Sequence, residues 1–375
     1  MIKSRVASRL LLGMMVLWNL LVTSKRKPGA HPRRILIAHH LLIGDTVMLT
    51  PLLAKLRQHY PATQIVMTVR PGMAVLYQTQ PYGVEALPYD PSLAHTLLAL
   101  WSQRGFDLAI VPGDNRFSWS ARGLGAKWIV AFAGDRPAYK SWFVDVLIPY
   151  PSDPATWGDM VAELIPGASP RPYRSADWPG PTCTAVLLLP TPYAILHVGA
   201  SSALKLWPPE KWRALAVWFQ EQGFYVVWTG ALDERHLIDA VDPEHVHPFI
   251  VGVSLAHLWC YIAKAAIVVC PDTGVAHLAR IIDTPVVVLY GPGSPILCGA
   301  GQFWQNSYYA PVTIEDFPCR DQNRLFKREL PWVRRCGRGL HECASPACMH
   351  AITIMQVQQA IMNLLSKAKR QRQIN

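Results

Sequence analysis

Prolines crowd residues 149–192, from Pro149 and Pro151 through Pro166, Pro170, Pro172, Pro179 and Pro181 to Pro190 and Pro192. On either side of that stretch the same alternation of short apolar runs and helical patterns begins afresh. No other feature restricts the fold as strongly. Before it, strands are predicted at 35–38, 64–69, 84–87, 106–111 and 128–132, with helices at 46–60, 73–78 and 93–104. After it, strands fall at 193–198, 224–228, 249–251, 266–269 and 285–290, with helices at 209–222, 233–240 and 255–265. Strands alternating with helices imply a parallel, doubly wound sheet. Two such sheets joined by a proline-rich linker, which a helix at 156–165 interrupts, predict a bilobal α/β protein with a central cleft. Residues 299–348 read as irregular. A last helix at 353–367 carries Ile354, Val357, Ile361, Leu364 and Leu365 on one face.

Half of the 375 residues are hydrophobic and 16% are charged, which excludes a disordered chain. The formal net charge of +11 has a location. Lys3, Arg5, Arg9, Lys25, Arg26, Lys27, Arg33 and Arg34 precede the first acid, Asp45, and the tail adds Lys367, Lys369, Arg370 and Arg372. Between the first basic groups runs Leu10-Leu11-Leu12-Gly13-Met14-Met15-Val16-Leu17-Trp18-Asn19-Leu20-Leu21-Val22, shorter than the ~20 residues of a spanning helix. Lys25-Arg26-Lys27 stands where a signal peptide would need small residues for cleavage. The expectation is a membrane-surface helix with basic ends, with a short spanning anchor and a buried helix as alternatives. The basic residues sit at the ends and lack a nucleic-acid module, so no nucleic-acid partner is expected. Cys183, Cys260, Cys270 and Cys298 read as small buried hydrophobes. Cys319, Cys336, Cys343 and Cys348 cluster without a C-x-x-C pair and read as reduced structural thiols, or as a metal or disulfide clip; no metal site is assigned.

Chemistry concentrates at strand-to-helix turns. Cys270-Pro271-Asp272-Thr273-Gly274-Val275-Ala276-His277 joins a buried strand to a helix, and such a turn offers N–H groups and a positive dipole end to a phosphate. Asp272, Thr273 and Gly274 are therefore candidate ligand-binding residues. His277, five residues beyond Asp272, is structural or functional. In Gly199-Ala200-Ser201-Ser202-Ala203-Leu204-Lys205, Ser201 and Ser202 supply donors and Lys205 a point charge suited to phosphate. Glu234 either accepts two ribose hydroxyls or simply faces the helix dipole. Asp45, in His39-His40-Leu41-Leu42-Ile43-Gly44-Asp45, is either an N-cap or a general base.

Together these motifs resemble the heptosyltransferases, glycosyltransferase family 9, inverting enzymes that add heptose from ADP-heptose to the lipopolysaccharide inner core. The matching pieces are Gly44-Asp45 with Thr50-Pro51, Gly199 to Pro208 with Lys205 and Trp207, Gly230 to Glu234, Asp272-Thr273-Gly274 with His277 and Ala279, and Gly291-Pro292 with Pro295. They extend over residues 34–365. Departures are His39 and Leu41 where the family's loop often reads Arg-x-Gly, and Gly293 where it has Gly-Pro-Thr.

The resemblance implies a GT-B fold of two Rossmann-like, doubly wound domains facing a central cleft. It implies a membrane-associating segment at 1–30, an acceptor domain at 31–175, a nucleotide-sugar domain at 185–350, and a helix with a basic tail at 351–375, the helix packing back across the first domain. Asp45 would be the catalytic base, Lys205 with Thr273-Gly274 would meet the diphosphate, and Glu234 the ribose. No cofactor is called for, because Lys205 and the turn's N–H groups answer the leaving-group charge. The partners implied are ADP-heptose, an anionic lipid-linked saccharide acceptor and the membrane surface, at the cytoplasmic face of the bacterial inner membrane. The rival expectations are a transferase using another nucleotide sugar, a nucleotide-sugar epimerase on the same scaffold, and a non-catalytic membrane-associated nucleotide-sugar-binding protein.

Overall fold

The computed structural model describes residues 4–183 and 187–374, so Lys3 of the basic N-terminal set lies outside the described residues. It divides into two units. The first runs to Arg171 and also holds Arg324–Trp332; the second begins at Pro172 and resumes at Val333.

The first unit carries β1 (Arg34–Ile37), β2 (Gln64–Val69), β3 (Val84–Pro88), β4 (Leu108–Val111), β5 (Ile129–Phe132) and β6 (Val146–Ile148), all parallel, in the order β3-β2-β1-β4-β5-β6. Its helices are α1 (Arg5–Val22), α2 (Ile43–Val47), α3 (Thr50–His59), α4 (Ala94–Trp101), α5 (Phe117–Gly123) and α6 (Trp157–Ala162). The helix predicted at 46–60 is two, breaking at Met48 and Leu49 before Pro51 enters the first turn of α3.

The second unit repeats the plan with β7 (Tyr193–His197), β8 (Tyr225–Gly230), β9 (Phe249–Val251), β10 (Ile267–Pro271), β11 (Val286–Tyr290) and β12 (Tyr309–Thr313), ordered β12-β11-β10-β7-β8-β9. Around them stand α7 (Pro209–Glu221), α8 (Arg235–Val241), α9 (Leu255–Lys264), α10 (Gly274–Ile282), α11 (Pro295–Cys298), α12 (Ala347–His350) and α13 (Ile354–Ile374). In strand order within each unit both sheets read 3-2-1-4-5-6, the dinucleotide-fold order, whose switch point falls between the first and fourth strands. β7, β10 and β11 are buried along their whole length, as strands covered by helices on both faces must be.

Four sequence expectations change here. β6 and β12 were not anticipated, and β12 with the antiparallel pair β13 (Arg324–Leu325) and β14 (Arg328–Glu329) gives order to a stretch read as irregular. Arg324–Trp332, read as part of the second domain, lies in the first unit. Cys183 and Cys260, read as separate buried hydrophobes, are joined in a disulfide with Cα atoms 5.8 Å apart, because the fold lays the linker against α9 across a separation of 77 residues. Finally, the C-terminal helix α13 packs on α7, β11 and β12 of the second unit, with Val357, Ile361 and Leu364 buried in that unit's core.

Helix α1 lies on α5 and α4 through Ser8, Met15, Val16 and Asn19. Asn19 Nδ2 donates to the carbonyls of Gly123 (2.7 Å) and Met15 (3.0 Å), and its Oδ1 accepts from Thr23. The other side exposes Leu10, Met14, Leu17, Trp18 and Leu21. Length and composition alone would let α1 cross a membrane. Its protein-facing side mixes Met15 and Val16 with Ser8 and Asn19, while the outward side is apolar.

Candidate functional site

In the second unit the switch point lies between β7 and β10, and the sequence's candidate residues gather at it. Lys205 closes a 3-10 turn (Ala203–Lys205) after β7, and its ammonium donates to both the carbonyl and the Oδ2 of Asp272, each at 2.8 Å. Thr273 is the N-cap of α10, with Oγ1 accepting from the N–H of Val275. Ala276 donates to the Thr273 carbonyl. Among the described residues, the N–H groups of Thr273 and Gly274 remain the turn's unspent donors. An anion placed there would meet a helix dipole, two N–H groups and the third hydrogen of the ammonium.

Ser202 is consumed as the cap of the 3-10 turn, its Oγ accepting from Leu204 N, while Ser201 is exposed on the same loop. Glu234 closes the 3-10 turn (Leu232–Glu234) that follows the neighbouring strand β8, where its Oε2 accepts from Ala231 N at 2.7 Å. A Cβ built on Gly199 would overlap that same Oε2, so the absence of a side chain at 199 is what lets the carboxylate lie across the β7 loop. Gly199→Ala must therefore push Glu234 off its N–H partner. Since a bond to a charged acceptor contributes ~1.5–3 kcal/mol to stability when buried and less at an exposed site such as this one, the thermal unfolding midpoint of Gly199→Ala is expected to fall modestly.

Gly293 has a comparable role. A Cβ there would lie 2.6 Å from Asp272 Oδ2, so a side chain would displace the carboxylate that holds Lys205. His277 is buried on α10, with Nδ1 accepting from Arg280. Burial first, then the charges of Arg280 and Lys205, hold its pKa well below the usual range. It is neutral, with its proton on Nε2. Arg280 is a residue that sequence reasoning missed: buried, it donates to the carbonyls of Gly299 and Cys298 and stacks over Trp304 and Tyr309.

In the first unit the corresponding position, between β1 and β4, opens into a cavity of about 700 Å³. Its walls include His39, His40 and Leu41 from the loop after β1, Asp114 and Arg116 from the loop after β4, and Arg70. Asp45 follows in the first turn of α2. The N-cap there is Leu42, with no side-chain cap bond, so Asp45 is not the cap that the sequence allowed; it lies half-buried at the dipole's positive end. Arg70 Nε donates to the Leu41 carbonyl, bringing a guanidinium to the loop where the family's arginine is missing. Arg328, from the β14 strand, donates to the carbonyls of Ala133 (2.8 Å) and Gly113 (3.1 Å) and to Asn115 Oδ1 (2.7 Å), pinning that hairpin onto the β4 loop.

Burial pushes the pKa of His39 down to about 3 and that of His197 to about 4. An unfolded histidine, near 6.5, takes up a proton that these folded sites refuse. The stability they contribute is complete above about pH 6.5 and drains as pH falls toward the folded values. The thermal unfolding midpoint should therefore drop as pH is lowered from about 7 to about 4.5, and His197→Gln should flatten that drop.

Cys319, Cys336, Cys343 and Cys348 are unbridged, and among the described residues no group of three or more His, Cys, Asp or Glu is placed to hold a metal ion.

Comparison with known proteins matches residues 99–328 to glycosyltransferase family 9 (heptosyltransferase). The lipopolysaccharide heptosyltransferase 1 of Pseudomonas aeruginosa is 24% identical over 317 residues, 76% of this chain and 85% of its own length. The lipopolysaccharide core heptosyltransferase OpsX of Haemophilus influenzae is 24% identical over 328 residues, 81% of this chain and 91% of its own. Among solved structures, the ADP-heptose lipopolysaccharide heptosyltransferase II of Escherichia coli superposes with a TM-score of 0.65 at 18% identity, over 90% of this chain and 99% of that one. That likeness shows the shared GT-B fold.

Proposed function

Because this chain belongs to glycosyltransferase family 9, we propose that it transfers heptose from ADP-heptose to the lipopolysaccharide inner core at the cytoplasmic face of the bacterial inner membrane. The reading rests on one observation above the others: Lys205 and the Asp272-Thr273-Gly274 turn meet at the switch point of the second sheet, where a sugar diphosphate is best received. The names of the relatives supply the sugar and the acceptor.

The reaction is a single displacement. Asp45 takes the proton of the acceptor hydroxyl as its oxygen attacks the anomeric carbon from the face opposite the diphosphate. The bond from that carbon to the phosphate oxygen breaks, and ADP leaves with the electron pair. Lys205 and the N–H groups of Thr273 and Gly274 oppose the charge that develops on it. Glu234 orients the donor through its ribose, with Ser201 and Ser202 on the flanking loop. The first domain takes the acceptor and the second the donor. Helix α1 rests on the membrane surface, its exposed leucines in the interface and Arg26 and Lys27 against anionic lipid, while Lys25 pairs with Asp145.

Purified protein is to be incubated with ADP-heptose and with UDP-sugars, each with and without heptose-deficient core acceptor, and the products weighed by mass spectrometry. One added heptose, only with ADP-heptose and acceptor present, is the expected result. Transfer from another donor replaces the sugar assignment. Epimerised free nucleotide sugar, or binding without turnover, overturns the reading.

A further inference from the structure

Arg280 stands in the second unit as a buried cation without an acid of its own. It is only 2% exposed and forms no ion pair among the described residues. A cation withdrawn from water is costly unless it is paired. A local rule broken in this way marks a functional site more often than a structural one. The guanidinium is nevertheless tightly fixed. Nη1 donates to the Gly299 carbonyl and Nη2 to the Cys298 carbonyl at 3.1 Å. Its central carbon lies 4.7 Å from the ring centre of Trp304 and 5.3 Å from that of Tyr309. Cys298 and Gly299 end α11, so these bonds moor α10 to the loop after β11.

The remaining partner is His277, one turn back on the same face of α10, whose Nδ1 faces Arg280 Nη2. A guanidinium has hydrogens to give, no lone pair, and does not lose its proton. Nδ1 must therefore present its own lone pair, and the ring hydrogen must sit on Nε2. Which nitrogen of a histidine carries the proton is set by the bond that the other makes. Nε2 makes no hydrogen bond among the described residues, and it is not one of the polar atoms sealed from solvent. His277 follows Gly274 by three residues and Thr273 by four. Helical side chains lean toward the N-terminus, so the ring covers the turn whose N–H groups are unspent. The Lys205 ammonium is near enough for its charge to act on that ring.

We infer that Arg280 is a positioning residue of the donor site: it holds His277 as an Nε2–H donor over the phosphate turn, where that hydrogen meets an oxygen of the bound diphosphate. The inference rests on the proposed function and deepens it. Arg280 touches no substrate and acts through the histidine. A carbonyl in its place would draw the ring hydrogen to Nδ1 and leave a lone pair on Nε2, which repels a phosphate oxygen. The guanidinium does the reverse, and its bonds to Cys298 and Gly299 keep it from turning away.

The test is nitrogen NMR of the full chain labelled in its histidine rings, with ADP as the probe and calorimetry alongside. His277 is assigned by its absence from the spectrum of His277→Gln. In the free wild type its two ring nitrogens should show a neutral Nε2–H ring, and added ADP should shift Nε2 more than Nδ1. Arg280→Met keeps the stem and removes the guanidinium. There the ring should become a mixture of both tautomers, and Kd for ADP should rise about tenfold, the loss of one hydrogen bond to a charged oxygen. Arg280→Lys, still a donor without lone pairs, should keep the Nε2–H ring and recover part of the affinity. In the His277→Gln background, Arg280→Met should weaken ADP by less than about twofold more, since residues that act through one another do not add. A full tenfold loss in that background overturns the inference, because Arg280 would then act through its charge or through α11. Should Arg280→Met fail to fold, the wild-type spectrum decides: a hydrogen on Nδ1, or an Nε2 resonance indifferent to bound ADP, overturns the inference. A wild type that shows the Nε2–H ring and its shift with ADP, yet transfers no heptose, sustains it and counts against the proposed function alone.

Discussion

Asp45→Asn is expected to abolish heptose transfer while ADP binds as tightly as to the wild type. The substitution keeps the size of the side chain and removes its capacity to accept a proton. Helix α2 does not rest on Asp45 as a cap: its N-cap is Leu42, without a side-chain cap bond, and Thr46 and Val47 are the residues of α2 that bury into the core. The five-residue helix would therefore persist. On the proposed mechanism, what is lost is the group that takes the proton from the acceptor hydroxyl. General-base catalysis contributes roughly 10²- to 10⁴-fold, so kcat should fall by at least that range, with acceptor and donor KM within a few-fold of normal. Calorimetry with ADP and single-turnover transfer separate the two quantities. Turnover in the asparagine variant above a few per cent of wild type would reject Asp45 as the base, whatever became of binding.

How much of this could be read from the chain depended on whether the information was local. The two sheets were legible because buried parallel strands are continuous apolar runs, and Val268-Val269 or Val286-Val287-Val288 allow few alternatives. The turns at Thr273 and Ser202 were legible because a cap acts within three residues. Two of the four edge strands, β6 and β12, were not. β6 has three residues and β12 carries Pro311, a residue tolerated only where one side of the strand needs no N–H, as at a sheet edge. Long-range arrangements were equally hidden. Arg328 reaches Gly113 and Asn115 across more than 200 residues, and no spacing rule announces it.

Helix α1 shows the limit most clearly. Its composition reads as one apolar segment, yet a period of 3.6 by itself gathers Arg5, Ser8, Arg9 and Leu12 into one stripe. Arg280 carries a similar signal, a charge inside an apolar helix, where burial demands partners. At the loop that carries Asp45, by contrast, local sequence suggested a capping aspartate, and the backbone put Leu42 at the cap instead.

Lys205→Ala should produce the second large effect, of a different kind. The ammonium holds three hydrogens; two are spent on the Asp272 carbonyl and Oδ2, and the third is available to a phosphate oxygen. Removing it would, on the proposed mechanism, cost the leaving group its point charge, and it leaves the mostly buried Asp272 carboxylate without its counter-ion. A carboxylate stranded in that position repels the diphosphate that the turn should attract. Both consequences act in the same direction, so nucleotide affinity and kcat should fall together, kcat by about 10²- to 10³-fold, the usual loss when one preorganised donor to a developing anion is removed. Lys205→Ala/Asp272→Asn separates the two causes. Neutralising the stranded carboxylate should restore much of the nucleotide affinity and little of kcat, because the charge opposing the leaving group is still absent. If affinity and kcat both recover in the double variant, Lys205 serves only to hold Asp272 in place; if neither falls in the single variant, the diphosphate binds elsewhere.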